Sequence, residues 1–162
     1  MKRLLILRHA KSSWADSSQA DWQRPLNARG VRDAPRVGEW LRERAIVPDV
    51  IITSDAIRAR TTAEAVATAA GYTRDIITEP SIYNARPEDL LEVVTRVGDD
   101  ARIALLVGHN PGLEDLIHQL TGQPHGMGTA AIVALDLAID RWSDLDSGTS
   151  ASIVETWQPG GD

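Results

Sequence analysis

Three apolar runs in this chain each stop abruptly at polar residues. They occupy residues 4–7, 50–53 and 103–107. Continuous apolar runs of this length are typical of strands buried on both faces of a parallel sheet. In open sheets of parallel strands, ligands bind in the crevice beyond the carboxyl ends of the strands. The residues that follow the three runs are therefore predicted to share one crevice.

Basic side chains stand after all three runs. Arg8 and His9 follow the first, Arg58 lies in the first turn of the helix after the second, and His109 follows the third. The Arg-His pair by itself favours an ordinary surface position. Three such strand ends together predict a phosphate site, because the guanidinium group matches phosphate oxygens. An imidazole there can serve as a nucleophile or a base.

Helix starts are predicted at the same edge of the sheet. Ser54 or Asp55 is expected to cap the helix after the second run. Asn110 is expected to cap the helix after the third run, with Pro111 at its first position. Free backbone N–H groups at a helix N-terminus favour an anion, which agrees with a phosphate site.

Strand and helix patterns alternate along the chain, which predicts an α/β fold. We expect three layers, with a mostly parallel sheet of about six strands and helices on both faces. Residues 130–137 and 151–157 are predicted to form a late hairpin that adds one antiparallel edge strand. The first helix is marked by the spacing of apolar residues, and Pro35 either starts its regular part near Asp33 or kinks it. Those apolar residues are Val31, Ala34, Val37, Leu41 and Ala45.

Composition excludes several classes of protein. The 162 residues suit one domain, predicted over residues 1–159 with a short frayed tail at 160–162. A net charge of -6 argues against nucleic acid as a partner. The absence of cysteine excludes disulfides and thiolate catalysis. No apolar run approaches the roughly 20 residues that cross a membrane, and no signal peptide is evident, so a cytoplasmic location is expected.

Four segments resemble the histidine phosphatase superfamily, whose fold is phosphoglycerate mutase-like. Residues 8–14 resemble its Arg-His-Gly signature, with Ala10 and Lys11 as in the SixA-type phosphohistidine phosphatases. Residues 21–30, 54–64 and 107–114 resemble the three blocks that follow, in the same order. The resemblance extends over nearly the whole chain.

The resemblance implies the role of each site residue. His9 is the expected nucleophile, which carries the phosphoryl group as phosphohistidine before water releases it. Arg8, Arg58 and His109 are expected to bind the phosphoryl oxygens, and Asn110 and Ser12 are further candidates for phosphate or substrate binding. Neither a metal nor a cofactor is expected, and phosphate or sulfate is expected to occupy the site.

One residue departs from the larger members of the superfamily. Asn84 stands where mutase-like members carry a Glu that protonates the leaving oxygen, and this departure is itself similar to the SixA-type subgroup. The resemblance therefore implies a phosphatase acting on phosphohistidine of a partner protein. A small-molecule phosphomonoesterase, a phosphoglycerate mutase and a non-catalytic phosphate-binding module stay open as alternatives.

Overall fold

The computed structural model describes residues 1–160, which form a six-stranded sheet flanked by four α-helices. Part of the predicted frayed tail, residues 161 and 162, lies outside the described residues. The strands are β1 (Lys2–Arg8), β2 (Val50–Thr53), β3 (Ile76–Thr78), β4 (Ile103–Gly108), β5 (Ile132–Leu137) and β6 (Ala151–Trp157). The helices are α1 (Ala28–Glu43), α2 (Ile57–Ala70), α3 (Pro87–Thr95) and α4 (Gly112–Thr121).

The sheet has the strand order β3-β2-β4-β1-β5-β6. Strands β1 to β4 are parallel to one another, and β5 is antiparallel to both of its neighbours. The predicted three-layer α/β fold with a mostly parallel sheet is confirmed. The expected late pair of strands is also found: β5 and β6 pair antiparallel, with β6 at the edge of the sheet. The sequence did not indicate that β5 also pairs antiparallel with β1 inside the sheet.

Alternating side chains of the central strands divide the core into two clusters. Leu4 and Ile6 of β1 belong to the cluster under α3 and α4, together with the fully buried Trp142. Leu5 and Leu7 belong to the cluster under α1 and α2. Helices thus cover both faces, and the carboxyl ends of β1, β2 and β4 stay together at one edge of the sheet.

Helix α1 corrects three details of the sequence interpretation. It starts at Ala28, so Pro35 lies inside it rather than at the start of its regular part. Val31 is 62% exposed, since the buried stripe of Gly30, Ala34, Val37 and Leu41 places residue 31 on another side of the helix. Ala45 lies beyond the end of the helix and has φ of 57°.

Helices α1 and α2 approach each other closely at Gly38. A Cβ built there would lie 2.4 Å from the carbonyl oxygen of Val66 and 2.7 Å from Cβ of Ala69. We expect Gly38→Ala to lower the free energy of unfolding by about 1–3 kcal/mol, since backbone must move to relieve the overlap. Urea unfolding measures the change. Gly126→Ala is the matched control, because within residues 1–160, adjoining residues aside, no atom lies within 4 Å of its added Cβ. Equal effects of the two variants would contradict the expectation.

Candidate active site

The carboxyl ends of three neighbouring strands form the candidate site. Strand β4 lies between β1 and β2, and the backbone pairing with β4 continues one residue past the ends of β1 and β2. His9 N–H donates to the carbonyl of Gly108 at 3.1 Å, and Ser54 N–H donates to the carbonyl of Val107 at 3.1 Å. The residues that follow the three strands therefore meet as the sequence predicted.

His9 is buried and held in one tautomer. Its Nδ1 lies 2.8 Å from the carbonyl oxygen of Ala10, which can only accept a hydrogen bond. The proton of the neutral ring is therefore on Nδ1, and Nε2 carries the free lone pair. Burial lowers the pKa of His9 to about 4, and the charges of Arg58 and Arg8 act in the same direction. His9 is consequently neutral at pH 7.

His109 is oriented by a serine. Its Nε2 lies 2.8 Å from Ser54 Oγ, which already accepts the N–H of Ala56 at 3.1 Å. We assign the serine hydroxyl as the donor to Nε2, an assignment that places the imidazole proton on Nδ1. The rings of His9 and His109 have centroids 5.3 Å apart. Burial and the neighbouring His9 lower the pKa of His109 to about 3.

Two arginines complete the site, and hydrogen bonds to neighbouring loops orient the guanidinium group of each. Arg58 donates to the carbonyl oxygen of Asp21 at 2.8 Å and to its Oδ2 at 2.9 Å. Arg8 donates to the carbonyl oxygen of Met127 at 3.0 Å. Within residues 1–160, Nε of both arginines and Nδ1 of His109 are buried without a hydrogen-bond partner. Three donors with unused bonding capacity suit an oxyanion.

Asp21 is a site residue that the sequence interpretation did not single out. Besides Arg58, its carboxylate accepts from Nε of Arg24 at 3.1 Å and from the hydroxyl of Tyr83 at 2.5 Å. The hydrogen bond from Tyr83, with help from Arg58, lowers the pKa of Asp21 to about 2. Asp21 therefore carries a negative charge beside the arginines. Its only sequence signal was its place in one of the four segments.

The loop of residues 122–131 is tied to the site through the Met127 peptide group. Its carbonyl accepts from Arg8 and from Nδ2 of Asn110, and its N–H donates to Glu114 at 2.8 Å. Asn110 also donates to Glu114 at 2.7 Å, and helix α4 starts only at Gly112. The expected Asn110 cap and first-turn Pro111 are therefore wrong: the amide of Asn110 bonds to Glu114 and Met127 instead.

Comparison with known proteins agrees with this geometry. Residues 4–86, which include Arg8, His9 and Arg58, match the model of the histidine phosphatase superfamily, branch 1. The chain belongs to the histidine phosphatase superfamily. An uncharacterized protein of Mycobacterium tuberculosis is 32% identical to it over 91% of this chain and 96% of the relative.

Solved structures of SixA share the fold of this histidine phosphatase. One assigned as the phosphohistidine phosphatase SixA from Agrobacterium tumefaciens superposes with a TM-score of 0.81 and 28% identity, over 98% of this chain and 99% of that one. The protein histidine phosphatase SixA complexed with tungstate superposes with a TM-score of 0.81 over 95% of each chain, and its 18% identity supports the fold alone. The superfamily and the SixA-type resemblance predicted from the sequence are confirmed.

The remaining predicted residues of this histidine phosphatase lie around the site or away from it. Ser12 is buried and its hydroxyl accepts from Arg24 at 2.9 Å. Arg60 and His118 are exposed. The cap expected from Ser54 or Asp55 is not formed, since helix α2 starts at Ile57 after Ala56. The hydroxyl of Ser54 serves His109 and the N–H of Ala56 instead.

The buried, neutral histidines predict how this histidine phosphatase responds to acid. We expect ring protonation of His9 at about pH 4 and of His109 at about pH 3, both below the ordinary value. NMR titration of the Cε1–H signals measures both midpoints, with assignments from His9→Ala and His109→Gln. Because the unfolded chain binds these protons near pH 6.5 and the folded chain does not, stability should fall as the pH drops below that value. Midpoints near 6.5 would contradict the burial argument.

Among residues 1–160, no helix is long and apolar enough to cross a membrane. The same residues contain no cluster of three histidine or carboxylate side chains that could hold a metal ion.

Proposed function

We propose that this protein is a phosphatase in which His9 attacks phosphorus and becomes a phosphohistidine intermediate. The hydrogen bond from His9 Nδ1 to the carbonyl oxygen of Ala10 carries the proposal. It turns the lone pair of Nε2 away from the backbone, in a ring that burial keeps neutral. A neutral nitrogen with a fixed direction is what an in-line attack on phosphorus requires.

In the first step Nε2 forms a bond to phosphorus, and the bond from phosphorus to the leaving group breaks. The negative charge on the three equatorial oxygens is stabilised by Arg8, Arg58 and His109. The free Nε–H of each arginine and the Nδ1–H of His109 supply the hydrogen bonds. Because these donors are held by Met127, Asp21 and Ser54, little reorganisation is needed when charge develops.

In the second step water attacks the phosphorus of the intermediate. The bond between phosphorus and Nε2 breaks, Nε2 recovers its lone pair while Nδ1 keeps its proton, and both protons of the water leave with the product as dihydrogen phosphate. The same three donors bind the phosphoryl oxygens again. Asn110 and Ser12 contribute at the edge of the site. Asn110 does so through its backbone N–H, since its side-chain amide already donates to Glu114 and Met127. Ser12 does so through its hydroxyl.

The substrate of this proposed phosphatase is phosphohistidine on a partner protein. Asn84 is exposed and follows Tyr83 at the mouth, and its amide cannot protonate a leaving oxygen. A leaving imidazole departs neutral once its ring is protonated, so it needs no general acid from the enzyme. The high structural similarity to SixA supports the same substrate class.

Oxyanion binding tests the phosphate site directly. We expect vanadate or tungstate to inhibit aryl phosphate hydrolysis competitively, and to raise the melting temperature, with EDTA present throughout. Arg58→Ala should weaken this binding by about 10- to 100-fold, since a hydrogen bond to a charged group is lost. Arg60→Ala, an exposed arginine two residues away, is the matched control. Equal effects of the two variants, or activity that requires a divalent ion, would overturn the assignment.

A further inference from the structure

Tyr83 contacts three groups of the site but has no part in the steps above. It follows the short 3-10 helix Pro80–Ile82 and is half-buried at the mouth. Its hydroxyl donates to Oδ2 of Asp21 at 2.5 Å. Its ring meets the ring of His109 edge-on, with centroids 5.5 Å apart and planes at 87°. The guanidinium carbon of Arg58 lies 5.9 Å from the centroid of the same ring.

The hydroxyl contact joins two loops that are distant in sequence. Asp21 belongs to the loop between β1 and α1, whereas Tyr83 lies between β3 and α3, 62 residues further on. The same Oδ2 accepts from Arg58 at 2.9 Å. A shift of the Asp21 carboxylate would therefore move the group that holds Arg58 from one side.

The protonation states make Tyr83 a positioning group rather than a proton donor to substrate. The hydrogen bond to Asp21 raises the pKa of the Tyr83 hydroxyl and lowers that of the carboxyl to about 2. At neutral pH the proton stays on the phenol and is shared with Asp21. A group whose proton is engaged in this way is poorly suited to release it to a leaving group.

We propose that Tyr83 is a positioning residue of the phosphoryl site, with separate tasks for its two parts. The hydroxyl fixes the Asp21 carboxylate and through it Arg58, and the ring keeps water away from His109. The inference rests on the proposed function, because Arg58 and His109 matter here as oxyanion ligands.

Two substitutions separate the tasks. Tyr83→Phe removes the hydroxyl and keeps the ring, and Tyr83→Leu removes both. Tyr72→Phe is the matched control, since Tyr72 is the other of the two tyrosines. The hydroxyl of Tyr72 also makes two hydrogen bonds, from Ile51 N–H at 3.2 Å and to the carbonyl of Asp75 at 2.9 Å. It lies toward the opposite end of strand β2 from the site.

The test measures tungstate affinity by calorimetry, and KM and kcat on an aryl phosphate. For Tyr83→Phe we expect tungstate Kd and KM to rise about 5- to 20-fold, because a charge-assisted hydrogen bond that orients Arg58 is lost. The value of kcat should change less than KM. Tyr72→Phe should leave both constants unchanged. Unchanged constants in Tyr83→Phe, or the same loss in Tyr72→Phe, would overturn the role of the hydroxyl.

The ring is tested by the titration of His109. The imidazole of His109 faces Tyr83, His9, Arg58, Arg8 and Asp21. Burial is the main cause of the low pKa of His109, which is about 3. Tyr83→Leu should raise the NMR midpoint of His109 toward its ordinary value, whereas Tyr83→Phe should not. Equal midpoints in both variants would overturn the role of the ring.

Failure of the proposed function gives a different result. If the unsubstituted protein bound tungstate but hydrolysed no phosphoryl compound, the phosphatase assignment would fail. Tungstate affinity and the His109 midpoint would then still decide whether Tyr83 positions these groups.

Discussion

Replacing His9 with alanine is expected to abolish turnover and to leave the fold intact. In the described part of the chain the imidazole makes one hydrogen bond, to the carbonyl of its neighbour Ala10, so few contacts of the core are lost. Loss of a nucleophile typically costs about 10⁴-fold or more in kcat. Aryl phosphate hydrolysis measures the loss, and circular dichroism checks the fold.

Chemical trapping identifies the phosphorylated residue. Brief reaction with a ³²P-labelled substrate should label the unsubstituted protein in a bond that is labile in acid and stable in base. His118→Ala, which removes an exposed histidine of helix α4, should be labelled normally. Hydrolysis by His9→Ala at the unsubstituted rate would remove His9 from the proposed role.

A large preference for nitrogen-linked over alkyl phosphoryl groups is the second expected result. Breaking an alkyl phosphate releases an alkoxide, which needs a proton in the transition state. General-acid help is typically worth about 10²–10⁴ in rate, and Asn84 cannot provide it. We therefore expect kcat/KM on a histidine-phosphorylated peptide and on an aryl phosphate to exceed that on a phosphoserine peptide or 3-phosphoglycerate by a factor in this range.

A substitution at Asn84 examines the cause of this preference. Asn84→Glu should raise alkyl phosphatase activity where the carboxyl reaches the leaving oxygen, and Asn84→Gln has the same length without an acidic proton. Both replace an asparagine whose φ is 55°, a conformation that asparagine tolerates better than most residues, so the backbone strain is matched. If alkyl phosphates are turned over as fast as phosphohistidine, another acid acts in the site and the proposed substrate class loses its basis.

The sequence predicted most of the fold because its signals are local. Strands β1, β2 and β4 follow from continuous apolar runs that are visible in the sequence. The long loop between β1 and α1 has no apolar period that would indicate a buried side, and Trp22 on this loop is 50% exposed. The antiparallel pairing of β5 with β1 was not predicted, because the sequence of one strand does not identify the strands that flank it.

The residues of the candidate site that follow the strands were predictable from the sequence. The residues that hold them in place were not. Arg8, His9 and His109 follow apolar runs, so their meeting follows from a parallel sheet. The pairing of Asp21 with Arg58 spans 37 residues and its bond from Tyr83 spans 62. No periodicity or turn signal links such positions. Only the folded chain shows which carboxylate stands beside the arginines.

Main-chain oxygens hold three of the reactive groups. Ala10 orients His9, Met127 holds Arg8, and the carbonyl of Asp21 shares in holding Arg58. A carbonyl is present whatever side chain its residue carries. Substitutions at positions 10 and 127 should therefore act through volume, since both side chains are buried, and should leave the acceptors in place as long as the backbone keeps its path. The orientation of His9 and Arg8 should therefore depend little on which side chain stands at positions 10 and 127.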